Sequence, residues 1–302
     1  TAWMAVRSAP GADPARHMST TVAGIDLTGI DLAALLPVAL AMLGTGLIAG
    51  VMAGMLGIGG GIVIVPVLEY MLGEAGVAAE WRMHVAVATS LATIIPTSLA
   101  SARAHHTRGA VDWPTVRTWS VPMLAGALGG ALLAARSASA LLTGIFGTVA
   151  VLIALKMLLP LDGLRLTEST PRGPIGAIIA AVIGAVSAMM GIGGGTLSVP
   201  AMTLTGLPIH RAVGTAAFFG LVISLPGTAG YLLAQPPVPL PWGTVGLVSV
   251  LGVALIVPGT IATAPLGARI AHALSRRALS AAFGLFLFVV AVRMLYRTFL
   301  AG

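Results

Sequence analysis

Eight apolar stretches separated by short polar turns run through the chain, at about 32–72, 84–102, 115–135, 140–159, 174–206, 210–234, 242–264 and 277–299. Most are 17 residues or longer, which suffices to span a hydrocarbon core about 30 Å thick at about 1.5 Å per residue. Two of the stretches are interrupted by the same motif. Gly57-Ile58-Gly59-Gly60-Gly61 followed by Ile62-Val63-Ile64-Val65-Pro66 returns, 134 residues later, as Gly191-Ile192-Gly193-Gly194-Gly195 followed by Thr196-Leu197-Ser198-Val199-Pro200. The pattern predicts an all-α polytopic membrane protein of about 8 transmembrane helices in two homologous repeats of four, the first helix of each repeat broken at a Gly-rich motif.

Further landmarks follow the same order. His84-Val85-Ala86-Val87-Ala88-Thr89 matches His210-Arg211-Ala212-Val213-Gly214-Thr215, Trp113 matches Trp242, and Phe146-Gly147 and Lys156 match Phe283-Gly284 and Arg293. Offsets that drift from 126 to 137 residues are what a duplication with unequal loops produces. The expected organisation is an extramembrane tail over 1–31, repeat 1 over 32–160, a Pro-rich linker over 161–173 and repeat 2 over 174–302. No continuous apolar segment precedes about Leu32, so the tail does not read as a signal peptide.

Composition narrows the class. Hydrophobic residues make up 57% and charged ones 8%, against about 25% charged in soluble domains. The net charge of +7 is nearly all arginine, Lys156 being the only lysine. Arginines in loops and at helix ends anchor a protein to lipid and give no reason to invoke nucleic acid. With no cysteine there are no disulfides or thiol nucleophiles, and no His, Asp or Glu spacing suggests a metal site or a cofactor. If all eight stretches cross, ten of the sixteen basic residues share the side of the N-terminus, which favours cytoplasmic termini. Four crossings per half would make the repeats parallel; a re-entrant hairpin at each Gly-rich motif would make them inverted. Arms of about 17 and 11 residues around the second motif, roughly 25 and 16 Å long, suit either.

Irregular backbone inside a bilayer survives only where protein or a wet cavity surrounds it. A matched pair of such breaks points to a transporter's substrate site. A new helix starts after each break, and its first N–H groups have no intrahelical acceptor. Those donors, the positive end of the helix dipole and the missing Cβ atoms suit an anion. The candidate substrate-binding residues are Gly57, Gly59, Gly60 and Gly61, Gly191, Gly193, Gly194 and Gly195, with the hydroxyls of Thr196 and Ser198, and of Thr89, Ser90, Thr215 and Ser224 in the following helices. Set against this are close helix packing by small residues and hydroxyls that bond back to their own helix. His84, His210 and Glu69 are the candidates for proton coupling; ordinary interfacial positions at helix ends are the alternative for the histidines. Lys156 and Arg293 read as side chains reaching the headgroups.

The Gly-Ile-Gly-Gly-Gly motif with its Val-Pro in both halves, and His-x-Ala-Val-(Ala/Gly)-Thr in the next helices, resemble the TauE/SafE sulfite exporter family of anion permeases, over roughly residues 35–300. The resemblance implies seven to nine transmembrane helices built by duplication, and transport of sulfite, thiosulfate, sulfoacetate or other organosulfonates in a bacterial inner membrane. It carries over to the matching glycines, to Pro66 and Pro200, and to Thr89 and Thr215. The expected protein is a secondary transporter that exports a small anion. An anion channel and a proton-coupled uptake permease for sulfur-containing or carboxylate anions remain open, as does a homo-oligomer. No paired carboxylates or Ser/His/Asp set falls within the spans, so an enzyme is not expected.

Overall fold

A computed structural model describes residues 21–22, 25–26, 32–56, 60–159, 167, 169–237, 240, 243–273 and 276–300. The described residues hold ten helices: α1 (Leu32–Leu56), α2 (Gly61–Glu74), α3 (Ala79–Thr107), α4 (Trp113–Ala134), α5 (Ser139–Leu158), α6 (Gly173–Met190), α7 (Gly195–Leu204), α8 (Ile209–Leu232), α9 (Val250–Ala273) and α10 (Arg276–Phe299). Strands β1 (Thr21–Val22) and β2 (Ile25–Asp26) pair antiparallel within a unit that covers residues 1–41. Strands β3 (Thr244–Val245) and β4 (Val248–Ser249) form a small hairpin ahead of α9, inside the second unit, residues 42–302. Four helices and residues 250–267 of α9 are long and apolar enough to cross a membrane, and the protein is an all-α membrane protein.

Two ends of the helical unit are defined by contacts between its elements. At the first end, the His84 ring near the start of α3 lies 2.9 Å from the Ser137 carbonyl, just past α4. Leu247, ahead of α9, donates its N–H to the Tyr231 carbonyl at the close of α8. At the second end, Asp112 at the start of α4 pairs with Arg211 at the start of α8 at 2.8 Å, and Trp119 donates to the Pro171 carbonyl ahead of α6 at 3.1 Å.

The helix is broken at the second Gly-rich motif, as expected, and its two arms run in opposite directions. Thr167, ahead of α6, donates its N–H to the Leu204 carbonyl that closes α7, at 3.5 Å. Ser169, Thr170 and Arg172 share a cleft with Thr205, Gly206 and Leu207. The chain therefore enters and leaves at the same end, and α6 and α7 form a hairpin whose bend is the motif.

The first motif is reversed too. Gly46, Gly50 and Val51 of α1 lie against Ile256, Thr260 and Gly267 of α9 in that order, so the two helices run the same way, from the first end towards the second. In α2 the order is opposite: Gly61 meets Ile94, whereas Gly73 meets Arg82 at the start of α3, so α2 returns to the first end.

Small residues make these packings possible. The backbone of α4 at Met123 and Ala127 meets Gly184 of α6, and Gly126 and Gly130 meet Ala181 and Ala185 in turn. Where lipid is as apolar as the side chains, such backbone approach is a main source of helix association. The pairing is crosswise: α6 packs on α4, and α1 on α9. The connections after α2 and α7 also match. Gly76 at φ +78° and Gly206 at φ +85° each close a turn in which Val77 bonds back to Leu72 and Leu207 to Met202. Only glycine takes that left-handed backbone without strain.

Candidate functional site

The two Gly-rich motifs meet in the interior. A β-carbon on Gly61 would stand 2.6 Å from the Gly191 carbonyl oxygen and 3.1 Å from the Ile192 Cα. One on Gly194 would stand 2.8 Å from the Phe219 backbone in α8. Gly60 abuts Ala49 of α1, 3.1 Å from such an atom. Gly191 ends α6 with φ +69°, and its carbonyl accepts a hydrogen bond from Ser90 Oγ at 2.7 Å. Gly60, Gly61, and Gly191 to Gly195 including Gly193 are all buried. Gly57 and Gly59 lie outside the described residues.

Two helices start at this junction. Neither α2 nor α7 has a side-chain cap at its N-terminus. Val63 and Ile64 bond to the Gly60 carbonyl, and Ser198 to that of Gly194. The N–H groups before them, on Gly61 and Ile62 and on Gly195, Thr196 and Leu197, precede the first intrahelical acceptor and carry the dipole's positive end.

Unpartnered side-chain hydroxyls lie on α7 and on the helices before and after it. Among the described residues, Thr196 Oγ1, Ser198 Oγ and Ser224 Oγ are buried without a hydrogen-bond partner, and so are Ser187 Oγ in the last turn of α6 and Thr228 Oγ1 in α8. Thr196 is 3% exposed and the hydroxyl residues Ser187, Ser198 and Ser224 are 0% exposed. An unsatisfied buried hydroxyl costs about 1–3 kcal/mol. Most of the unsatisfied hydroxyls sit on the three helices that frame one break, and a ligand's oxygens would satisfy them.

Thr89 and Thr215 have matching but different duties. Thr89 Oγ1 accepts the Ser249 N–H at 3.0 Å, and Thr215 Oγ1 accepts the Asp112 N–H at 2.8 Å. Each acceptor sits in one half and each donor in the other. Ser249 and Asp112 in turn cap α9 and α4, Ser249 Oγ accepting from Gly252 and Asp112 Oδ2 from Thr115. These two threonines thus tie the start of a long helix to the opposite half.

The proton-coupling candidates are scattered. His84 is 2% exposed and lies against Trp81, ring centres 5.3 Å apart and planes tilted by 45°. His210 is exposed at the start of α8. Glu69 lines a cleft between α2 and α10, well along α2 from the junction. Sequence reasoning passed over Asp112, Ser187 and Thr228. Asp112 was legible, since Asp followed by Trp113-Pro114 is a helix start with Pro in the first turn. Nothing in the sequence distinguishes Ser187 and Thr228 from hydroxyls that satisfy their own helices.

The family profile described as "Sulfite exporter TauE/SafE" matches residues 42–294, which contain both motifs and every residue of the junction. The chain belongs to the TauE/SafE family. It is 34% identical over 251 residues to a "Probable membrane transporter protein" of Haemophilus influenzae, covering 82% of this chain and 95% of that one. It is 29% identical over 270 residues to the "Probable membrane transporter protein YunE" of Bacillus subtilis, covering 83% and 95%. An archaeal relative, "Probable membrane transporter protein MJ0441" of Methanocaldococcus jannaschii, is 24% identical over 191 residues, 63% of this chain and 71% of that one. No solved structure matches the chain. A TauE/SafE protein with several apolar spans is a membrane transporter, working in a lipid bilayer on a small solute.

Proposed function

We propose that this TauE/SafE protein is a secondary transporter that exports sulfite or an organosulfonate anion across a bacterial inner membrane, with the two Gly-rich bends as its substrate site. The convergence of two uncapped helix starts with buried, unsatisfied hydroxyls carries this reading. A sulfonate or sulfite presents oxygens around one sulfur, and convergent N–H and O–H donors match them without a full cationic charge. Thr196, Ser198 and Ser224 join Gly60, Gly61, Gly193, Gly194 and Gly195 at the anion, while Ser90 shapes the bend. The electrical gradient favours this direction, since moving one negative charge out of a negative interior gains about 2.3 kcal/mol per 100 mV.

The path of the helices supports a topology of six crossings (α3, α4, α5, α8, α9, α10) and two re-entrant hairpins. Three crossings per half invert the second repeat relative to the first. Inverted repeats supply two related arrangements around one fixed site, the basis of alternating access. Orientation follows from charge. Arg103, Arg108, Arg117, Lys156, Arg172, Arg211, Arg269, Arg276 and Arg277 belong to the second end, against Arg82, Arg136, Arg293 and Arg297 at the first. The excess of basic residues favours a cytoplasmic second end, with α10 finishing on the opposite side. This reverses the orientation that eight crossings implied.

Efflux of labelled sulfite from proteoliposomes under an imposed voltage, with sulfoacetate, thiosulfate, sulfate and lactate as competitors, tests the function. Saturable efflux, stimulated by unlabelled anion on the far side and blocked by sulfonates or sulfur oxyanions, is expected. Absence of sulfite and sulfonate flux under every voltage and pH gradient would remove this substrate class, and unitary currents would replace the carrier with a channel.

A further inference from the structure

A charged cleft lies away from the junction. Between α2 and α10, at the first end, a lateral cleft of about 190 Å³ is lined by Glu69 and Tyr70 on one side and by Arg293 and Arg297 on the other. The two arginines are one helical turn apart and share a face. The Arg293 guanidinium stands over the Tyr70 ring, 5.3 Å from its centre, a contact that holds the cation in place without neutralising it. Among the described residues no ion pair joins Glu69 to either arginine. The cleft therefore carries two positive charges and one negative, an excess of one.

The rest of the cleft is mostly apolar, Pro66, Val67, Phe286, Val290 and Met294, with Thr143 and Thr298 as its other polar residues. It continues along α10 onto the exposed face of Leu285 and Val289, each 57% exposed. A charged mouth near a helix end with an apolar trough running towards mid-membrane has the layout of a phospholipid. We propose that this cleft binds one phospholipid with a single net negative charge, its phosphodiester between Arg293 and Arg297 and an acyl chain along Phe286 and Val290. Charge complementarity selects a phosphodiester lipid without an amine, because its one negative charge cancels the excess. The equivalent face of the other half is different, since Thr203 and Leu204 stand where Glu69 and Tyr70 do. One site per chain is therefore expected. The assignment is independent of which anion the transporter carries.

Purified full-length protein, delipidated and then titrated with phosphatidylglycerol, phosphatidylcholine, phosphatidylethanolamine or inorganic phosphate, tests it by native mass spectrometry and thermal shift. Phosphatidylglycerol should be retained at one per chain and raise the melting temperature, and the other three should do neither. Arg293→Gln with Arg297→Gln should weaken that retention about 30-fold, equivalent to about 2 kcal/mol for two basic groups at a membrane surface. Arg277→Gln, at the opposite end of α10, should leave it unchanged. Glu69→Gln should strengthen retention by removing the repulsive charge. The proposal fails if inorganic phosphate stabilises as well as the lipid, if the double variant retains phosphatidylglycerol undiminished, or if Glu69→Gln loses a phosphatidylethanolamine that wild type held.

Discussion

The first and second Gly-rich bends use the same backbone and different side chains. After the first, α2 opens with Gly61-Ile62-Val63-Ile64, wholly apolar and buried. After the second, α7 opens with Gly195-Thr196-Leu197-Ser198, and two hydroxyls stand buried without partners. What both bends share is the absence of a Cβ and the uncapped N–H groups of a helix start, which belong to the main chain. What only the second has is side-chain donors. In the proposed site the first bend would supply backbone donors alone, and the second backbone donors together with hydroxyls.

A bulky group at the junction is the strongest way to break this comparison. Gly61→Val would drive side-chain atoms into the Gly191 carbonyl and Ile192, at a cost of about 3 kcal/mol for overpacking between two backbones. Transport should vanish and the melting temperature fall. Normal flux in a stably folded Gly61→Val protein would mean that the bends do not meet in the working molecule.

Next in size is the difference between the two cross-half caps. Asp112→Ala removes the α4 cap and the pairing with Arg211, and should destabilise by about 1.5 kcal/mol, most of it the cap because Arg211 is half exposed to solvent. Ser249→Ala removes only a cap and should cost about 1 kcal/mol. Thermal unfolding in one detergent ranks the two. Equal losses would show that the charge at the second end adds nothing.

The hydroxyls sharpen the comparison through function. Ser198→Ala should raise the transport KM about tenfold, the loss of roughly one hydrogen bond to an anion. It should leave the fold as stable or slightly more so, because Ser198 Oγ is unpartnered. Ile62→Val, in the first bend, should cost about 1 kcal/mol of stability and leave KM alone. A Ser198→Ala protein with unchanged KM and lowered stability would make that hydroxyl structural. The smallest effect is expected of His210→Ala, within about 0.5 kcal/mol of wild type, since its side chain is exposed. A lost proton dependence of flux in that variant would restore its coupling role.

The hydrophobic pattern made the helices legible, because apolar runs between polar turns fix where the chain is helical whatever it packs against. It could not show that α6 and α7 return to the same end. A broken crossing and a hairpin have the same local sequence, and only the Thr167 and Leu204 pairing and the cleft beside them separate the two. Thr89 and Thr215 teach the same lesson. Their recurrence marked them as important, but whether a recurrent hydroxyl faces an anion or caps a helix of the other half depends on a partner 160 or 103 residues away. Ser90 and Ser224 looked alike in sequence, yet one bonds the Gly191 carbonyl and the other is left without a partner.

By itself the sequence determined that this is an apolar, helical chain in which one glycine motif recurs, since composition, period and recurrence are local properties of the residues. Tertiary structure alone decided that the breaks are bends meeting at one point, which hydroxyls are free there and at which end the arginines gather. Each of these depends on contacts between distant segments, where a bilayer leaves every buried polar group to find its partner within the protein.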